Sequence, residues 1–206
     1  MELFSLFRRK PRIRTPAQLA DFIDENASFL VQKGIFEYAR ARAGVYAKML
    51  MVEPEFLRLA ELARWRAYPM GLAMVGEMAA GLLRDDGRTQ DLPADDVIEP
   101  LFDVVLDVFD RYPVPAVLDG AEWQAARAEL RRRLDLTRMH PTKLAKDIPV
   151  PYLDGYFALM PIHERLRGQD LPTVRNYLMV TLCNIHEDLN RRLDKAELLT
   201  ALVRKK

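Results

Sequence analysis

The sequence has few of the residues from which most metal and redox centres are built. Among 206 residues there is one cysteine, Cys183, and there are three histidines, at 140, 163 and 186. One cysteine excludes an intrachain disulfide framework and a cysteine-based zinc site. The histidines do not have the HExxH spacing or the ExxH spacing of di-iron bundles. We therefore predict no metal site, and we expect Cys183 to be a small buried hydrophobe on the last helix.

Signatures of catalysis and of membrane insertion are also missing. There is no GxSxG motif, no P-loop and no GxGxxG after a strand, so we predict no catalytic residue and no cofactor. No apolar run approaches the roughly 18–20 residues that a spanning helix needs. The net charge of +1 gives no overall attraction for nucleic acid. These absences favour a soluble, cytoplasmic protein without a nucleic-acid partner.

What the chain does have is helical periodicity. Half of its residues are hydrophobic and 30% are charged, which is the balance of a globular domain. Apolar residues recur at three- and four-residue spacing, and no segment alternates as a strand does. We predict an all-α fold, a compact helical bundle of about seven to nine helices, several of them proline-kinked. Residues 15–206 would form this single domain, behind a basic segment of residues 1–14.

Local signals place several helix ends. Thr15-Pro16-Ala17-Gln18 combines an N-cap, a first-turn proline and a capping-box glutamine, which predict a helix from Pro16 to about Asp24. A long second helix, separate from the first or joined to it, is predicted to follow through Val52. Pro54 opens the next helix, which Pro69 kinks or breaks. Asp119 predicts the cap of a helix that ends near residue 139. Residues 152–167 read as one helix with a kink at a proline, and residues from 171 onward as a long terminal helix.

Three charged side chains interrupt the apolar stripes. Arg42 falls on the stripe of the first long helix, and Arg66 and Glu77 fall on the stripe of the next. A buried charge costs several kcal/mol unless it is paired. The three residues therefore indicate either an internal ion-pair network or a pocket. The two stripes are Val31, Ile35, Tyr38, Val45, Met49 and Val52, and Phe56, Leu59, Ala63, Met70, Ala73 and Ala80.

The pocket hypothesis assigns a role to each neighbouring polar or aromatic residue. Arg42 and Arg66 would receive an anionic group, and Glu77 would orient one of them. Aromatic residues would form the walls, and polar residues of the terminal helix would add hydrogen bonds. The alternative is an ordinary amphipathic core whose arginines extend to solvent. The remaining candidate residues are Tyr38, Tyr46, Trp65, Tyr177 and Asn184.

Two helices carry opposite charge. Acidic residues fall on one face from Asp96 to Asp110, and basic residues crowd the helix from Arg127 to Arg138. Both faces are either solvated or docked on each other, in the same chain or in a second copy. Self-association or an unknown protein partner at these faces is thus one hypothesis.

The N-terminal segment is the other candidate contact surface. Its apolar residues would enter a membrane interface while its cations meet anionic headgroups. The alternatives are a frayed tail or a tail folded onto the core. The residues concerned are Phe4, Phe7, Arg8, Arg9 and Lys10.

Two short stretches resemble known families. Asp95-Asp96-Val97-Ile98-Glu99 has the DDxxE form of the magnesium-binding carboxylates of helical terpenoid synthases, and the resemblance ends with that motif. Residues 27–34 and 43–45 resemble fragments of the DNA-binding region of TetR-type repressors. The gap between those fragments is too short for a helix-turn-helix. Neither resemblance covers a useful length.

The sequence thus supports two functions of different kinds. The favoured prediction is a non-enzymatic cytoplasmic binding or adaptor protein that acts through its charged helix faces and lies peripherally at the inner membrane if residues 1–14 bind there. The alternative is a small-molecule binder or enzyme with an interior Arg/Glu/Tyr pocket for an anionic ligand. A TetR-like regulator and a terpenoid-synthase-like enzyme are less favoured.

Overall fold

The fold is all-α, as the periodicity predicts. The computed structural model describes the backbone of residues 11–89 and 94–203 and the side chains of residues 11–85 and 95–203. This part of the chain contains no β-strand, only an isolated bridge between Ile13 and Leu193. The helices are α1 (Pro16–Ala43), α2 (Ala47–Leu50), α3 (Pro54–Thr89), α4 (Ala94–Asp110), α5 (Gly120–Arg138), α6 (Leu153–Ala158), α7 (Glu164–Arg167), α8 (Leu171–Arg192) and α9 (Lys195–Val203).

α1 and α5 begin at the predicted N-cap residues, Thr15 and Asp119. The Thr15 hydroxyl accepts a hydrogen bond from the Gln18 amide at 3.2 Å, and the Gln18 side chain accepts one from the Thr15 amide at 3.3 Å. The Asp119 carboxylate accepts a hydrogen bond from the Glu122 amide at 2.7 Å. These caps satisfy amides that have no partner within the helix, so both predicted starts are confirmed.

The first long helix ends earlier than its periodicity predicts. α1 stops at Ala43 because Gly44 adopts φ +53°, a conformation that glycine tolerates and that terminates a helix. A 3-10 turn (Gly44–Tyr46) and the four-residue α2 follow. The change of direction carries the end of the predicted stripe out of the core. Val45, Met49 and Val52 are therefore 90%, 71% and 73% exposed, and the prediction that they are core residues is wrong.

α3 is the central element of the bundle. It packs against α1, α4, α5, α8 and α9, and its stretch from residue 67 to residue 84 is almost wholly buried. Pro69 lies inside this helix without ending it, and the helix also continues past residues 85–87, where the sequence predicts a stop. Burial on several sides offsets the cost of about 3 kcal/mol that an interior proline imposes.

Two breaks near the C-terminus depart from the prediction. The single helix predicted over residues 152–167 is split into α6 and α7 before and after Pro161, since the residue preceding a proline avoids the helical region. The terminal helix breaks after α8, where the Ile13 amide donates to the Arg192 carbonyl and the Asp194 amide donates to the Ile13 carbonyl, both at 2.9 Å. Ile13 is buried, so the packed body includes part of the segment predicted to precede it.

Candidate ligand-binding groove along α3

The predicted apolar stripe of α3 lines a groove. Leu59, Ala63, Arg66, Met70 and Ala73 recur at three- and four-residue spacing, and each borders one of two adjoining cavities. Arg66 borders both cavities, so they meet at its side chain. We call the two together the α3 groove. The spacing of the stripe was predicted, whereas its role as a groove wall follows from the packing around it.

The first cavity, the α5 chamber, lies between α3, α5 and the turn that leads into α6. Its volume is about 320 Å³, which falls within the range of small-molecule pockets. Most of its wall is apolar, with a few polar side chains that converge on it. The lining residues are Arg66, Pro69, Met70, Ala73, Ala126, Glu129, Leu130, Arg133, Pro151, Tyr152 and Gly155.

The second cavity, the α6 chamber, lies between α3 and the chain from the end of α6 to α7. Its volume is about 350 Å³. Arg167 fixes its outer wall, because its guanidinium donates to the carbonyls of Ile162, Phe157 and Met160 at 2.8, 3.3 and 2.8 Å. The lining residues are Leu59, Leu62, Ala63, Arg66, Ala158, Leu159, Met160, Pro161, Ile162, His163 and Arg167.

The stripe predicts that Arg66 lies in the core, and this prediction is wrong. Arg66 lies at the mouth that the two chambers share. Its side chain is 42% exposed and pairs with Glu122 of α5, with Nε–Oε1 and Nη2–Oε2 distances of 2.6 and 3.3 Å. The hydrogen bonds to Glu122 raise the pKa of Arg66. In the described part of the chain, Nη1 of Arg66 donates no hydrogen bond. A second acceptor can therefore bind this guanidinium while Glu122 stays in place.

A second guanidinium faces the α5 chamber. Glu129 accepts hydrogen bonds from Arg132 Nε at 2.6 Å and from Arg133 Nε at 2.7 Å, and these bonds lower the pKa of Glu129 to about 2. Arg133 lies over the ring of Tyr152, with 5.2 Å from its central carbon to the ring centroid. Of the three guanidinium nitrogens of Arg133, only Nε hydrogen bonds to another described residue, so Nη1 and Nη2 are available to a ligand.

Tyr152 is the most buried polar residue of the groove. It is 6% exposed, and within the described residues its hydroxyl makes no hydrogen bond. Burial, and then the nearby Glu77 carboxylate, raise the pKa of Tyr152, so the phenol stays neutral and keeps its proton. The residue is buried but its hydroxyl is not among the fully enclosed atoms without a partner, so this oxygen is accessible and can donate to a ligand in the chamber that Tyr152 borders.

Glu77 is buried, as predicted, but its partner is not an arginine. It is 7% exposed and forms an ion pair with Lys143, whose Nζ lies 2.8 Å from Oε1 of Glu77. Arg66 lies eleven residues earlier on the same helix, about 16 Å along the axis at 1.5 Å per residue. The predicted network of Arg42, Arg66 and Glu77 is therefore wrong, because three separate regions hold the three charges.

Arg42 lies at the far end of α1 and is exposed, so its predicted place in the core is also wrong. It pairs with Asp170 at 3.2 Å and donates to the Leu166 carbonyl. Tyr38 donates to the same Asp170 carboxylate at 2.9 Å. Tyr46 is exposed and borders a separate cleft with Arg42. These three candidates therefore lie near one another and do not border the α3 groove, although Ile162 borders both their cleft and the α6 chamber.

The remaining pocket candidates, Trp65, Tyr177 and Asn184, do not border the α3 groove. Trp65 packs edge-on against Tyr68, Tyr112 and Trp123, with ring centroids 5.4 to 5.9 Å apart. Tyr177 donates to the Leu30 carbonyl at 3.3 Å, which joins α8 to α1. Asn184 is exposed, and Cys183 is exposed instead of buried.

The two charged faces contact each other within the chain. Arg127 pairs with Asp110 at 2.6 Å, and Arg131 and Arg138 pair with Glu99 at 2.6 and 2.7 Å. The DDxxE carboxylates Asp95 and Glu99 thus have arginine partners, Asp95 through Arg138 at 3.1 Å. Among the described residues no cluster of three or more histidine, cysteine or acidic side chains could hold a metal ion. α1 runs unbroken over residues 27–43, which leaves no turn for a TetR-type motif.

Sequence reasoning missed the ion-pair partner of Arg66 and the residues that line the α5 chamber with it. Glu122, Arg133 and Tyr152 are 56, 67 and 86 positions away along the chain, and no periodicity relates positions so distant. The N-terminal candidates, Phe4, Phe7, Arg8, Arg9 and Lys10, lie outside the described residues. No helix of the described chain is long and apolar enough to span a bilayer. Comparison with protein-family models, with curated proteins and with solved structures found no match.

Proposed function

We propose that the protein binds a small amphipathic carboxylate, an apolar body with one anionic group, in the α3 groove. The observation that carries this proposal is the position of Arg66 at the junction of two mainly apolar chambers. An anion held there would leave its apolar body next to either chamber. An anion-binding groove, in which Arg66 is the one residue of the predicted pocket, is thus better supported than an adaptor that acts through its charged faces, because those faces pair with each other.

The charge balance around Arg66 favours an anion. Three cations (Arg66, Arg132 and Arg133) and two anions (Glu122 and Glu129) lie on or beside the α5 chamber, a net charge of +1. Both glutamates are occupied by the arginines they contact. The Glu77 carboxylate near Tyr152 does not change this balance, because Lys143 pairs with it. Charge-assisted hydrogen bonds from guanidinium to carboxylate are short and about twice as strong as neutral ones.

The walls favour an apolar body on the ligand. Pro69, Met70, Ala73 and Leu130 face the α5 chamber, and burial of apolar ligand surface against them contributes about 25 cal/mol per Å². Tyr152 would add a hydrogen bond to the bound anion. The proposal keeps the predicted cytoplasmic location, which suits a chain whose one cysteine is an exposed thiol.

Displacement of a fluorescent apolar anion tests the proposal. The full chain is mixed with 1-anilinonaphthalene-8-sulfonate, and octanoate or 1-octanol is titrated in. We expect octanoate to displace the probe at lower concentration than octanol, because only octanoate has the group that Arg66 binds. Arg66→Gln should weaken octanoate binding about tenfold, which corresponds to the loss of one charge-assisted hydrogen bond.

Arg58 supplies the matched control. It lies on the same helix and is paired with Glu55 through Nε and Nη2 at 2.8 and 2.7 Å, as Arg66 is with Glu122, but it does not border the groove. Arg58→Gln should leave octanoate binding unchanged. Equal displacement by octanoate and octanol, or equal loss of binding in the Arg58 and Arg66 variants, would contradict the proposal.

A further inference from the structure

The segment that follows α1 turns apolar side chains toward solvent. Val45, Met49 and Val52 lie at four- and three-residue spacing, with Lys48 among them, and the three apolar residues are each more than two-thirds exposed. Large exposed apolar residues are unremarkable when scattered, but a contiguous group marks a contact surface. We call residues 45–53 the α2 face.

A concave cleft adjoins this face. Its volume is about 420 Å³, and the side chains that border it are mostly apolar. Val45 and Val52 do not border the cleft, so the face has protruding side chains beside a depression. A flat bilayer surface would meet the protrusions and leave the cleft unfilled, whereas a protein surface of matching shape would fill both. The cleft is lined by Arg42, Ala43, Tyr46, Met49, Leu50, Glu53, Ile162 and Leu166.

The charges of the α2 face complement one another. Of the charged side chains from residue 37 to residue 58, which are all described, Lys48 alone has neither an ion pair nor a hydrogen bond. Glu53 uses Oε2 to accept the Phe56 amide at 2.6 Å, which leaves Oε1 able to accept a further hydrogen bond. The face therefore carries one unpaired cation and one available carboxylate oxygen, on either side of apolar residues.

We propose that the α2 face docks on the same face of a second copy of this chain. Two-fold symmetry requires a self-complementary surface, and antiparallel packing would bring Lys48 of each copy to Glu53 of the other. The same arrangement would place Val45 and Val52 against the cleft of the second copy. The dimer would cover the α2 face and leave the α5 chamber of the α3 groove outside the contact.

Sedimentation equilibrium of the full chain tests this inference. We expect reversible monomer–dimer association of the unmodified chain between about 1 and 200 μM, the micromolar range of a small interface. Lys48→Glu or Glu53→Lys alone should weaken association at least tenfold, because each sets like charges opposite one another. The double exchange Lys48→Glu with Glu53→Lys should restore association. Lys146→Glu, an exposed charge elsewhere, should not change it.

Further variants separate docking from folding. Glu53→Lys also removes the hydrogen bond to the Phe56 amide, so Met49→Asp, at an exposed position, provides an independent disruption with the fold monitored by circular dichroism. A chain that stays monomeric at 200 μM, or a double exchange that fails to restore the dimer, overturns the inference. So does a monomeric chain that binds phosphatidylserine vesicles through Lys48, since the face would then meet a bilayer.

Discussion

Arg66 and Glu77 lie on one face of one helix, and their surroundings differ completely. Glu77 is enclosed on all sides and has one ion-pair partner, Lys143. Arg66 is at the mouth of two chambers, is partly exposed, and keeps one nitrogen without a hydrogen bond among the described residues. A charge in an apolar stripe therefore has no single meaning: full enclosure gives a structural ion pair, whereas the edge of a cavity gives a group that can bind a ligand.

The largest effect should come from the enclosed pair. Lys143→Met leaves the buried Glu77 carboxylate without its cation, and we expect a loss of about 3 kcal/mol in the free energy of unfolding. This value is at the low end for buried ion pairs because Lys143 is one-third exposed. Urea denaturation measures it. A loss below about 1 kcal/mol would mean that water or another group replaces Lys143, and the contrast with Arg66 would disappear.

Two buried tyrosines offer the next comparison. Tyr156 donates to the Val31 carbonyl at 3.0 Å, whereas the hydroxyl of Tyr152 has no partner among the described residues. Tyr156→Phe should lower the free energy of unfolding by about 1 kcal/mol, because it removes one buried hydrogen bond, while the Val31 carbonyl keeps its partner within α1. Tyr152→Phe should leave the free energy of unfolding nearly unchanged, because this hydroxyl makes no hydrogen bond among the described residues, and it should weaken octanoate binding. An equal loss of stability in both variants would mean that Tyr152 has a structural partner.

Arg66 itself should matter little for folding. Its pair with Glu122 is partly exposed, and such pairs contribute about 0–1 kcal/mol. We expect Arg66→Gln to change the free energy of unfolding by less than about 1 kcal/mol while it weakens octanoate binding. The same urea titration with Arg58→Gln gives the reference value. A loss as large as that of Lys143→Met would place Arg66 with the structural ion pairs.

The smallest effect should appear only in acid. Hydrogen bonds from Arg132 and Arg133 lower the pKa of Glu129 from 4.5 to about 2. A carboxylate with a lowered folded-state pKa stabilises the fold above its unfolded pKa, and this contribution is lost as the pH falls from 4.5 toward 2. Glu129→Gln should therefore flatten the decline of stability in that window and leave stability below pH 2 unchanged. Urea unfolding of the unmodified protein and of the Glu129→Gln variant at matched pH values measures this effect. If Glu129 does not contribute, the free energy of unfolding will fall in parallel for the two proteins.

Features that depend on a few neighbouring residues could be predicted from the sequence. The caps at Thr15 and Asp119 each need only a side chain and an amide three positions away, so the helices begin where expected. The stripe on α3 was predicted in the same way, because helical spacing relates residues within a few turns. The helix end at Gly44 was missed, since glycine is also compatible with a continuing helix. Which of the two conformations it adopts depends on packing beyond that segment.

The amino-acid sequence by itself determined the helical class, the capped helix starts and the face of α3 on which Arg66 and Glu77 lie. Only the tertiary structure decided which of these two charges is enclosed and which lines a groove. The physical reason is that burial is set by the neighbours of a side chain in space. The relevant neighbours, Lys143 for Glu77 and Glu122, Arg133 and Tyr152 around the groove, come from distant parts of the chain that no local pattern connects to α3.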